Sequence, residues 1–173
     1  MLEEAIVMSE PRKLRCYQYV NRSYDQVRAL LHREPLELLQ RATRSAAARA
    51  GELAANLHVT VGGIEVGVDV RPYVRRIRDE KGVAGLSPVT CLEIGWEASH
   101  APGLFPSMHL ELSAWALSST ETQLEIAGEY RPPLGIVGNA MDAAVGHRIA
   151  EASVHRFLDD VVEQMKRDLP TNP

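Results

Sequence analysis

Between Leu57 and Tyr130 the apolar residues recur at every second position, and from about Pro133 to Leu169 they recur at helical spacing. These two periods belong to different elements, so the chain has to place a sheet against one long helix. In the first region Leu57, Val59 and Val61 alternate with His58 and Thr60, and Gly62-Gly63 supplies a two-residue hairpin turn. Ile64, Val66, Val68, Val70 and Val74 then alternate with Glu65, Gly67, Asp69, Arg71 and Arg75. Beyond a charged loop near Asp79–Gly85, Leu92, Ile94 and Trp96 alternate with Cys91, Glu93 and Glu97. Met108, Leu110, Leu112 and Ala114 alternate with His109, Glu111 and Ser113, and Leu124, Ile126 and Tyr130 with Gln123, Glu125 and Glu129. One dry and one wet face is the pattern of an antiparallel sheet, and the short connections exclude parallel crossovers.

Before the sheet, residues 1–12 form a lead-in expected to be mobile, and Arg15 to Val20 reads as a first strand. Ser23 with Gln26 is a capping-box pattern for a short helix carrying Val27, Leu30 and Leu31. Pro35 ends that helix and opens a second, which runs through an Ala-rich stretch to Gly51. The fold class is therefore α+β: six antiparallel strands in all, two short helices after the first, and a long C-terminal helix across the sheet. About 35 helical residues would span roughly 50 Å, enough to cross a curved sheet. One domain is expected over 13–169, with a tail at 170–173.

Composition sets outer limits. A chain of 173 residues with 45% hydrophobic and 24% charged residues can close one core without staples. A net charge of -4 argues against a nucleic-acid partner. Cys16 and Cys91 lack metal-type spacing and fit a reducing compartment. No apolar run reaches membrane-span length, and Met1-Leu2-Glu3-Glu4 is acidic where a signal peptide carries positive charge. The expectation is a soluble cytoplasmic protein without stable membrane insertion.

More specific is the passage from Gly103-Leu104-Phe105-Pro106 through a strand pair to Tyr130-Arg131-Pro132-Pro133-Leu134-Gly135 and on to Val145-Gly146-His147-Arg148-Ile149-Ala150-Glu151. With the order of elements from about Arg15 to Leu169, it resembles the START-like (SRPBCC) superfamily, which includes polyketide cyclases and the birch-pollen-allergen-like proteins. Within it, the passage is similar to bacterial members without an established activity. The resemblance implies a helix-grip fold, a curved sheet wrapped around the long C-terminal helix, with a cavity for an apolar small molecule or lipid between them. It does not imply catalysis, since carriers, sensors and enzymes share the fold. Six expected strands, rather than the seven of the plant allergen-like branch, favour the shorter bacterial arrangement.

Strand parity divides the candidate residues. The apolar parity holds Val59, Val61, Val66, Val68, Leu92 and Ile94, and continues with Trp96, Leu110, Leu112, Leu124, Ile126 and Tyr130. Its central positions carry no Asp, Glu, His, Lys or Arg, and acid–base chemistry needs a titratable group within reach of substrate. This favours binding over catalysis, with Trp96 and Tyr130 as polar handles; a completely filled core would read the same way. On the long helix, Ile136, Ala140, Ala143, Ala144 and His147 begin a stripe that continues as Val154, Phe157, Leu158, Val161, Val162, Met165 and Leu169. Small residues in its first half leave room for a ligand near Ala140–His147, and large ones in the second half seal the core. His147, Glu151 and His155 drift around the helix and make no metal column, so neither metal nor cofactor is expected.

Three readings stay open. The first is a binder of a lipid-like, aromatic or polyketide-like molecule lined by the residues above, including Ile136, Ala140, Ala144 and His147. The second is a cyclase- or dehydratase-type enzyme with His147 or Tyr130 as proton donor. The third is an oligomer-forming or partner-binding module, a homodimer for instance, using the opposite stripe of Met141, Val145 and Ile149. Arg156, Asp160, Glu163 and Arg167 continue that opposite side as an expected solvated face, and the Arg75-Arg76-Ile77-Arg78 run reads as a solvated strand end.

Overall fold

Ser23 closes the capping box expected of it. Its hydroxyl accepts from the Gln26 backbone N–H at 3.4 Å, and the Gln26 side chain accepts from the Ser23 N–H at 3.0 Å. Two orphan donors of the first turn are thereby satisfied, and helix α1 runs Tyr24–Arg33. The computed structural model describes residues 12–44, 70–82, 87–98, 107–131 and 140–171. Within these, a second helix, α2, covers 35–44 and opens at Pro35 as the sequence indicated.

The strands are β1 Arg12–Val20, β2 Val70–Glu80, β3 Val89–Ala98, β4 Ser107–Ala116 and β5 Thr122–Arg131, and the long helix is α3 Ala140–Asp168. They form an open antiparallel sheet in the order β1-β5-β4-β3-β2. Five strands therefore stand among the described residues where six were expected. The sixth, near Leu57–Val61, lies outside the described residues, as do the Gly62-Gly63 turn, Val66, Val68 and Ile136.

Register turns parity into rows across the sheet. On the inner face one row reads Cys16, Ile126, Leu112, Leu92, Ile77, and the next Leu14, Gly128, Leu110, Ile94, Val74. These residues join Val154, Phe157, Leu158, Val161 and Met165 of α3, and Leu38, Leu39 and Ala42 of α2, in one core cluster. Burying each large aliphatic side chain contributes roughly 1.5–3 kcal/mol before chain entropy. Gly128 occupies a position no other residue fits, because an added Cβ would collide with the His109 carbonyl oxygen and lie 2.8 Å from Leu110 Cα.

Three departures from expectation have local causes. A bulge between Val74 and Arg76 shifts β2 by one residue, so Ile77 and Asp79 face inward, and Asp79 belongs to the strand rather than to a loop. Asp160, expected in solvent, is 7% exposed. It adjoins the buried Phe157 and Val161 on the helix, and the guanidinium of Arg156 one turn earlier neutralises it at 3.0 Å. Cys91 lies on the outward parity yet is buried with a free thiol, 3.6 Å from the Ser113 hydroxyl across the strand pair.

The C-terminus of α3 is held by a residue the sequence pattern does not single out. Arg22, buried between β1 and α1, donates from Nε to the Leu169 carbonyl at 3.0 Å and from Nη2 to the Lys166 carbonyl at 2.9 Å. Its own carbonyl accepts from the Thr122 hydroxyl at 2.8 Å. A cation at the last turn satisfies orphan carbonyls and opposes the negative end of the helix dipole. Replacing Arg22→Met should lower the unfolding free energy by about 2 kcal/mol, and Gly128→Ala by about 1–3 kcal/mol through overpacking. Urea denaturation of the two variants beside the parent checks both values.

Candidate functional site

Two contacts hold α3 beside β1: Arg22 binds its C-terminus, and the Gln18 amide donates to Asp159 at 2.6 Å. The large side chains Val154 to Met165 thus cover the rows through Cys16 and Gln18, and the N-terminal half of α3 runs toward the row Arg12, Tyr130, Met108, Trp96, Pro72. Of the residues expected to line a ligand space, Leu92, Ile94, Leu110, Leu112, Leu124, Ile126 and Tyr130 are all brought to this inner face and buried. Trp96 has its backbone in the Tyr130 row. Ala140, Ala144 and His147 sit on α3, as do Met141, Val145 and Ile149, but their side chains lie outside the described residues.

The inner face is not free of charge. β1 starts three residues earlier than expected, and this brings Arg12 opposite Tyr130, where its guanidinium donates to the phenol oxygen. Tyr130 is 2% exposed. Burial pushes its hydroxyl above the ordinary phenol range, the Arg12 charge and hydrogen bond pull it back, and Glu151 pushes it up. The outcome is a hydroxyl that stays protonated at neutral pH beside a fixed cation.

A second polar cluster lies at the opposite corner of the same face. Tyr24 of α1 is 2.8 Å from the Thr90 hydroxyl, which donates to Asp79 Oδ1 at 2.8 Å. Arg28 donates to Asp79 Oδ2 from Nη2 at 2.6 Å and Nε at 3.0 Å, and His32 Nε2 is 3.2 Å from Oδ1. The Arg28 hydrogen bonds hold the Asp79 carboxyl well below the usual carboxylate range, against the effect of partial burial, with Thr90 and His32 adding to the shift. Both carboxylate oxygens are engaged, so the cluster fastens α1 to the β2–β3 end of the sheet.

The outer face carries a third arrangement. Glu93 and Glu111 stand directly opposite each other on β3 and β4, and Arg78 bridges them, at 3.2 Å and 2.6 Å, while reaching Glu80 at 2.9 Å. Like charges in cross-strand register repel, and Glu111, with Glu80 behind it, holds the Arg78 guanidinium firmly protonated. Arg78 is therefore a clamp rather than the solvated strand end expected of it. Beside it a shallow groove of about 300 Å³ is lined by Tyr73, Arg75, Glu93, His109 and Glu111 over Ala127 and Gly128. The buried thiol of Cys16 is pushed up to about 12 by desolvation, which leaves it unreactive. Among the described residues no three His, Cys, Asp or Glu side chains are placed to hold a metal ion.

Sequence reasoning missed Arg12, Asp79 and Arg22. Arg12 follows a proline in a polar lead-in, and Asp79 changes face only because of a bulge that no residue pattern marks. The one available signal was Thr90, two positions before Leu92 on the apolar parity, where a hydroxyl needs an inward partner.

No family model and no curated protein matches the sequence. Among solved structures, the chain is similar to a conserved protein from Geobacillus kaustophilus, with 10% identity over 91% of this chain and 97% of that one and a TM-score of 0.50. It is also similar to Zhui aromatase/cyclase from Streptomyces sp. R1128, with 11% identity over 93% and 97% of the two chains and a TM-score of 0.43. For norcoclaurine synthase from Thalictrum flavum the values are 10%, 95%, 91% and 0.47. At these identities the likeness is one of fold. The five-stranded antiparallel order and the C-terminal helix match a helix-grip fold. Among the described residues no helix is long and apolar enough to cross a membrane.

The Asp79 cluster has a pH signature. A carboxyl held below its unfolded value contributes stability that is complete above the unfolded pKa of about 3.9 and is lost as pH falls through the folded one. Asp79→Asn should therefore destabilise the protein most at pH 7, with the gap to the parent narrowing at pH 3. Thermal unfolding at the two pH values measures this, and an equal gap at both would show that the cluster does not act through charge.

Proposed function

We propose that the protein binds a small hydrophobic molecule, lipid-like, aromatic or polyketide-like, between the sheet and α3 toward the Tyr130 end of the inner face. The observation that carries this reading is the change in residue size along the sequence of α3. The large described side chains of α3, Val154 to Met165, pack over the rows nearest Arg22, while the inner rows continue to Tyr130 and Met108. Opposite that end the helix sequence turns small, with Ala140, Ala143 and Ala144. The site would be lined by Ile94, Leu110, Tyr130 and Trp96 from the sheet and by Ala140, Ala144 and His147 from the helix. Leu92, Leu112, Leu124 and Ile126 would form its floor, and Val59, Val61, Val66, Val68 and Ile136 would complete the wall. Affinity would come from removing apolar surface from water at roughly 25 cal/mol per Å², less the cost of immobilising the ligand.

One observation favours a second reading, a cyclase- or dehydratase-type enzyme. Tyr130 keeps its proton at neutral pH beside the Arg12 cation, which suits a hydrogen-bond or proton donor to a carbonyl. Loss of turnover of an identified substrate in Tyr130→Phe would support this reading, and preserved turnover would remove Tyr130 from the mechanism.

The binding reading is tested by filling the space. Ala144→Phe should abolish uptake of a fluorescent apolar probe such as 1-anilinonaphthalene-8-sulfonate while leaving the thermal midpoint within a few degrees of the parent. Probe binding that survives in a folded Ala144→Phe variant would place the ligand elsewhere. Native mass spectrometry of protein purified from its own host adds a direct readout, a co-purifying small molecule.

A further inference from the structure

Among the described residues the sheet has two edges, and they are built differently. β2 carries Pro72 and the bulge between Val74 and Arg76, and both interrupt regular pairing with a further strand. β1 has neither: its nine residues run in unbroken register with β5 from Arg12 to Val20. An edge strand presents a row of backbone donors and acceptors, and a regular one is a template for another strand. The outer-face side chains of β1 are Lys13, Arg15, Tyr17 and Tyr19, and all four are exposed. Tyr17 is 58% and Tyr19 43% exposed, with their rings edge to face at 5.8 Å. Two aromatic rings are thus held open to a partner on the one unblunted edge.

The order of these side chains says which partner fits. Cations occupy the first half of the outer row and aromatic rings the second, so the strand is complementary to itself run backwards. In antiparallel pairing with the two-fold axis at Cys16, Arg15 stands opposite the partner's Tyr17 and Lys13 opposite the partner's Tyr19, and symmetry makes each pair twice. Cations over phenol faces attract, whereas an axis at Arg15 or an in-register parallel pairing would set cation against cation. On the inner parity the same axis places Leu14 against Gln18 and Arg12 against Val20, so no like charges meet. Arg15 already donates to Glu125 at 3.0 Å, through the edge of its guanidinium. Stacking uses the flat face, so the two contacts coexist. We propose that β1 is a docking edge for a second copy of this chain, with two β1 strands pairing antiparallel about Cys16 and joining the two sheets into one.

Sedimentation velocity from micromolar to near-millimolar protein tests this. The parent should show a concentration-dependent dimer. Tyr17→Lys sets a second cation against the partner's Arg15 and should weaken that dimer at least about tenfold. Arg15→Glu alone should weaken it several-fold. The double variant Arg15→Glu/Tyr17→Lys places opposite charges across the axis and should return the dissociation constant to within about threefold of the parent's. The substituted side chains are exposed, circular dichroism verifies each fold, and the parent series needs no variant. A parent that stays monomeric throughout overturns the proposal. So does a dimer that Tyr17→Lys leaves unchanged, since its interface then lies elsewhere. A double variant as weak as Tyr17→Lys overturns the antiparallel register about Cys16.

Discussion

The position of α3 depends on Arg22. A 29-residue helix could lie across a five-stranded sheet in many registers, since apolar packing tolerates sliding by a turn. The hydrogen bonds from Arg22 to the Lys166 and Leu169 carbonyls remove that freedom, because a planar guanidinium meets the last turn in only one placement. The backbone of Arg22 is itself tied to β5 through Thr122, so helix end, β1–α1 junction and sheet are fixed at one point. With that end fixed, Gln18 meets Asp159, and the remaining geometry of the inner face follows. The interaction is buried, and it uses a charge at a helix end rather than an ion pair, which avoids desolvating a second ion.

From this point the interface changes along its length. Near Arg22 it is filled: Val161, Leu158 and Met165 are fully buried against Leu124, Ile126 and Leu112. Farther on, Gly128 lets the β4 backbone come close, and the next inner row carries Tyr130 opposite Arg12. Among the described residues the interface is thus apolar and packed near Arg22 and carries a phenol at its other end. The bulge in β2 serves the sealed part, since it turns Asp79 inward to hold α1 in place.

What could be read from the sequence divides along the same physical line. Period-two alternation identified β3, β4 and β5, and the Ser23–Gln26 pair identified the start of α1, because both signals lie within a few neighbouring residues. The inward set Leu92, Leu110, Leu112, Leu124 and Ile126 followed from parity alone. The misplaced residues are those whose environment is set by distant chain. Asp79 changes face through a one-residue shift in pairing with β3, and Asp160 is buried because it borders the packed stripe of α3. Arg78 becomes a clamp only when Glu93 and Glu111 arrive from two other strands. Charge composition gave no warning, because a paired charge and a solvated one look alike in a sequence.

That distinction bears on the functional site as well. Parity predicted central inner positions without Asp, Glu, His, Lys or Arg, and on that ground the sequence favoured binding over catalysis. Among the described residues two charged side chains stand on that face, Arg12 and Asp79, both at its margins, and the central rows are apolar. Placement at the margin is what the energetics require. A guanidinium in the middle rows would lose its hydration with no partner to replace it, whereas at the edge it keeps part of its water. Charge at the margin and apolar rows at the centre thus follow from the same desolvation cost.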